Sequence, residues 1–133
     1  MKATFFLLLI LLAQSVYSQK DREDFQSFCS NFFSDSTTQR ERVKYPLKHV
    51  VYNQDQDSFD TTLVSKKSWL FSDFGFWTNN YNVKVYDSFA KKLRDSGERV
   101  LSFEGVENGI NMSLYFKLVA GKWYLVLWED LSD

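Results

Sequence analysis

At 133 residues, the chain has room for one domain with one core. Its net charge of −1, with both signs mixed along it, excludes an electrostatic handle for nucleic acid or an anionic membrane. The single cysteine, Cys29, rules out an internal disulfide, so burial must hold the fold, and the 18% aromatic content can supply the area.

The first residues read as a targeting segment. Lys2 gives a positive start, Phe5 to Ala13 is a short apolar run, and Ser15 and Ser18 place small residues before Gln19. The apolar run is well short of the ~20 residues that a bilayer span needs. Residues 1–18 are therefore expected to be a cleaved signal peptide and residues 19–133 a single domain, secreted or periplasmic. No cysteine stands at the cleavage point to carry a lipid. No later apolar run is long enough for a transmembrane segment.

Phe25, Phe28, Cys29, Phe32 and Phe33 fall at i, i+3, i+4, i+7 and i+8, one stripe of a helix that would lie on a sheet. Cys29 reads as a small apolar filler within that stripe. Residues 34–38 favour turns and would end the helix. Pro46 then starts a strand over Leu47–Tyr52, where its missing N–H is tolerated. A polar acidic loop, 53–60, leads to a second short strand over Thr61–Val64. Asp55, Asp57 and Asp60 resemble the start of a calcium loop, but Phe59 replaces a ligand and the sharp-turn glycine is absent. Trp69 to Trp77 fits neither helical nor strand periodicity and is read as a helical turn entering a loop. Val83–Tyr86 reads as a strand, and Asp87–Arg94 either continues it, the favoured reading, or forms a short helix.

The last third organises the chain. Asn108-Gly109 and Ala120-Gly121 each suggest a two-residue hairpin turn. Pairing Glu107 with Ile110 sets Phe103 against Leu114, and the second turn sets Leu118 against Trp123 and Leu114 against Leu127. One face then carries Leu101, Phe103, Met112, Leu114, Phe116, Leu118, Trp123, Leu125 and Leu127. The other face holds Glu104 opposite Ser113, with Tyr115 diagonal to it. It also holds Tyr124, Val126 and Trp128, which with Tyr115 make an amphipathic patch suited to an interface, including a homodimer through the sheet. Helix first and meander last give an α+β domain, a helix packed on a strongly bent antiparallel sheet.

Chemistry-bearing residues are few. His49 is the only histidine, which excludes a metal centre built on imidazoles, and no G-x-S-x-G nucleophile motif is present. No cofactor is implied. The aromatic run, with Trp69, Phe71, Phe74, Phe76 and Trp77, could line a ligand pocket, Asn79 and Asn80 orienting a polar ligand. Asp73, Asp87, Glu98, Glu104 and Glu129 could include a pair of carboxylates for acid–base work, and Glu104 beside Tyr115, with Asp73, is the candidate set for proton transfer. Asn111-Met112-Ser113 matches a glycosylation sequon inside a strand.

Residues 42–47 (RVKYPL), the Lys67-Ser68-Trp69 step, and residues 106–126 with their Gly-Lys-Trp hairpin resemble an uncharacterised family of small exported Bacteroidetes proteins, a domain of unknown function. That family is similar to the nuclear transport factor 2-like, or cystatin-like, superfold. The resemblance implies a cone of bent antiparallel sheet around a helix. Some relatives of the superfold are isomerases or dehydratases, while others bind ligands or dimerise, and no enzyme's residues map onto this chain. The expectation is a non-catalytic domain that binds a small ligand or partner protein through an aromatic-lined mouth. The alternatives are a small isomerase, dehydratase or hydrolase with a carboxylate–tyrosine site, and a carbohydrate-binding module using Trp69 and Trp77.

Overall fold

The computed structural model describes residues 21–92 and 96–133; the signal peptide expected over residues 1–18 lies outside them. Helix α1, Phe25–Phe32, begins at Asp24, whose carboxylate accepts the Ser27 N–H at 2.9 Å. Its apolar stripe turns inward as expected, burying Phe28, Cys29 and Phe32. A second helix, α2 (Ser36–Glu41), forms where only a turn was expected. Asp35 caps it by accepting the Thr38 N–H, and its one buried side chain is Gln39. So short and polar a helix shows no apolar period, which is why the residues read as a turn.

The strands are β1 (Val43–Asn53), β2 (Ser58–Val64), β3 (Tyr81–Tyr86), β4 (Glu98–Gly105), β5 (Asn111–Val119) and β6 (Lys122–Asp130). They form one six-stranded sheet in the order β2-β1-β6-β5-β4-β3. All neighbours are antiparallel except β1 and β6. β1 begins before the expected Leu47, and the cis Tyr45–Pro46 peptide sits in a register break between Val43 and Lys48. β2 takes in Phe59 and Asp60, which had been read as loop, so the acidic turn shrinks to residues 54–57. After Tyr86 the chain leaves the sheet rather than continuing the strand. Ser88 is buried, and the Phe89 ring meets Tyr115 edge-on at 5.5 Å, covering part of the convex face.

Both hairpins form, with two corrections to the expected register. The second turn has Ala120 and Gly121 at positive φ and pairs Val119 with Lys122, as expected. The first is longer: Gly105 donates its N–H to Ile110 O at 2.9 Å, and Phe103 pairs with Met112, Leu101 with Leu114. Glu107, not Asn108, takes the positive φ, while the Asn108 side chain accepts the Ile110 N–H and packs where Gly105 has no Cβ. The slip is two residues, so every side chain keeps its face.

The second correction changes faces. A bulge between Tyr115 and Phe116 makes Leu114 pair with Trp128 and Tyr115 with Leu127. An extra residue in β6 inverts the alternation beyond it. Trp128 therefore lies on the concave face and Leu127 on the convex one, the reverse of the expectation.

Helix α1 closes the concave face over β5 and β6. Phe28 and Phe32 meet the fully buried Phe116 ring edge-on at 5.6 and 5.4 Å, and Phe25 meets Trp123 at 5.0 Å. Phe103, Leu114 and Leu125 complete this core with no exposure. Edge-to-face pairs of this kind each add about 0.5–1.5 kcal/mol beyond the area they bury.

Candidate functional site

At one end of the sheet, residues 65–80 cross the concave face without regular structure. Two polar anchors hold them. The buried Gln39 amide donates to Phe32 O at 3.0 Å and Ser72 O at 2.6 Å, and accepts the Ser72 N–H at 3.1 Å. The Trp77 indole donates to Phe33 O at 2.9 Å. Gly75, at φ 73°, lets the Tyr81 ring lie against the backbone, where any Cβ would collide with it.

This crossing seats Trp69 and Phe74 beside Trp128. Phe74 meets Trp128 edge-on at 5.2 Å, Trp69 meets it at 6.5 Å, and Tyr45 meets Trp69 at 6.2 Å. His49 stacks flat on Trp128, with centroids 3.6 Å apart and planes 14° apart. Parallel pairing of β1 with β6 opposes these two residues, and the bulge in β6 turns Trp128 inward to meet His49. Four buried polar atoms here have no hydrogen-bond partner among the described residues: Tyr45 Oη, His49 Nε2, Trp69 Nε1 and Trp128 Nε1. Each such atom forgoes about 1–3 kcal/mol when shut away unpaired.

Two clefts open on either side of the Phe74–Trp128 contact. One, of about 340 Å³, lies between His49, Trp69, Leu70, Phe71 and Trp128. The other, of about 300 Å³, is bounded by Tyr81, Met112, Trp128, Asp130 and Ser132. Volumes of this order suit small ligands. Burial lowers the His49 pKa, the Asp130 charge opposing it, which favours the neutral imidazole.

Of the residues anticipated for the site, Trp69 and Phe74 converge at this mouth and Phe71 borders it. Phe76 turns away to stack on Phe33 at 4.3 Å, and Trp77 is 54% exposed behind it. Trp128, expected on the interface face, is the centre of the mouth instead. Glu104 and Tyr115 stay on the convex face and are not partners. Glu104 pairs with Lys84 at 3.0 Å and stands opposite Asn111 rather than Ser113. Tyr115 is raised in pKa by burial and by its hydrogen bond to Glu129. Tyr124 lies on the convex side with Lys44 Nζ 4.0 Å from its ring centre, and Val126 is the half-buried bulge residue. His49, Asp130 and Gln39 were missed, and the isolated histidine among apolar strand residues was the one signal for them.

A family model matches residues 23–131. No curated protein matches the chain. Among solved structures, an NTF2-like (nuclear transport factor 2-like) protein from Bacteroides fragilis is similar at 27% identity and a TM-score of 0.63, over 84% of this chain and 48% of its own. The chain thus spans about half the length of that neighbour. A cystatin-like protein from Bacteroides caccae is similar at 24% identity and a TM-score of 0.56, over 81% of this chain and 76% of its own. A protein from Bacteroides ovatus is similar at 26% identity and 0.51, over 80% and 72%.

Proposed function

Because the chain belongs to the family matched over residues 23–131 and shares the NTF2-like, cystatin-like cone, we propose that it is a non-catalytic binding domain of an exported protein. It takes a small ligand of mixed apolar and polar character at the mouth around Trp128. The observation that supports this reading is the set of four buried polar atoms without partners, gathered in one aromatic cluster that two clefts flank. A filled, purely structural cluster would be expected to pair or omit such atoms. A catalytic role has less support, since the carboxylate–tyrosine contacts among the described residues, Tyr115 with Glu129 on the far side of the sheet and Tyr52 with Asp57 in the exposed β1–β2 turn, lie outside the mouth.

The test is an NMR screen of the folded protein with a library of water-soluble aromatic fragments, following the indole N–H signals of Trp69 and Trp128. Saturable shifts at both, lost in Trp128→Ala, are expected. Fragments that shift only signals outside the mouth, or none at all, would overturn the proposal.

A further inference from the structure

The cleft on the Asp130 side differs from its neighbour in holding a carboxylate. Asp130 pairs with Met112 across β5 and with Val51 across β1, which places it at the rim of the concave face beside Trp128. It accepts the Ser132 N–H at 3.2 Å and has no cationic partner among the described residues. Around it stand the rings of Phe74, Tyr81 and Trp128. His49, whose charge is coupled to that of Asp130, is biased toward its neutral form by burial.

The surrounding charge points the same way. The strand ends and turns at this end of the sheet contain Asp55, Asp57, Asp60, Glu107, Asp130 and Asp133. No lysine or arginine occurs in residues 49–65, 100–116 or 123–133. Lys84, the basic residue of neighbouring β3, is already paired with Glu104. A negative rim above an aromatic cleft raises the local concentration of cations and leaves ring faces to hold them. A small hard metal ion would need several oxygen ligands, whereas one carboxylate among rings suits a weakly hydrated organic cation.

Resting on the mouth being a ligand site, we propose that its ligand is an organic ammonium ion, seated against Phe74, Tyr81 and Trp128 with Asp130 as counter-ion. Choline and its uncharged isostere 3,3-dimethyl-1-butanol, which differ by nitrogen for carbon, are the probes. Titrated into the full chain while the Trp128 indole signal is followed, choline is expected to bind about tenfold more tightly than the isostere. Asp130→Asn, which keeps the acceptor for Ser132 N–H, should remove that preference, and Asp133→Asn should retain most of it. Equal affinity for the two probes would overturn the ammonium assignment while leaving the mouth a ligand site. Neutral fragments that shift Trp128 when choline does not would do the same. If no probe or fragment moves Trp128, both the assignment and the binding role fall.

Discussion

His49 shows how one side chain's meaning depends on its surroundings. In the sequence it is an ordinary strand residue; in the fold it is stacked on Trp128 with Nε2 buried and unpaired. Its pKa is lowered from 6.5 by burial, against the pull of Asp130. The unfolded chain therefore binds the proton more readily than the folded one. Stability from the neutral imidazole is complete above the unfolded pKa and falls as pH drops below it. Urea midpoints should decline more steeply from pH 7 to pH 5 in the natural protein than in His49→Phe, which keeps a ring over Trp128 without titrating. Identical slopes would refute the assignment.

At the scale of elements, the irregular crossing 65–80 depends on α2. Gln39 gives residue 72 the donor and acceptor that a neighbouring strand would otherwise give. Gln39→Ala strands the Ser72 backbone groups and Phe32 O, at a cost of about 2–4 kcal/mol on the scale of lost buried hydrogen bonds. The expected result is a lower denaturation midpoint together with faster amide exchange over residues 68–74. Unchanged exchange at Ser72 would show that packing of Trp69 and Phe74 alone holds the crossing. The hairpins carry a related lesson. Ala120-Gly121 behaves as a local turn rule requires, whereas Asn108-Gly109 yields to contacts made outside it, as Asp133 N–H donates to Gly109 O at 3.1 Å.

For the molecule as a whole, a polar clamp joins the beginning of the described chain to its last hairpin. Glu23 receives two hydrogen bonds from Arg42, at 2.8 and 3.0 Å, and the Trp123 N–H at 2.9 Å. Its carbonyl accepts the Trp123 indole N–H, also at 2.9 Å. Burial would raise the Glu23 pKa, but the Arg42 and Trp123 hydrogen bonds outweigh it and hold the carboxylate below its usual range. The family match begins at this same residue, and the stretch before it is where we propose the export signal. Expression with export should yield a mature chain starting at Gln19, read by N-terminal sequencing. A chain retaining Met1 would contradict export by cleavage.

Several of these features follow from local rules. The phenylalanine stripe of α1, the Ala120-Gly121 turn and the apolar alternation of β4 and β5 each depend on residues a few positions apart. A helical or strand period therefore suffices to find them. These determine an aromatic helix on a bent antiparallel meander. The face of Trp128, the helix around Gln39 and the meeting of His49, Trp69 and Asp130 were decided only by tertiary structure. A bulge in one strand reverses every side chain beyond it, and a parallel β1–β6 pairing joins residues about eighty positions apart. No period in the sequence records either event, because both are set by which packing of the whole sheet buries the most apolar surface.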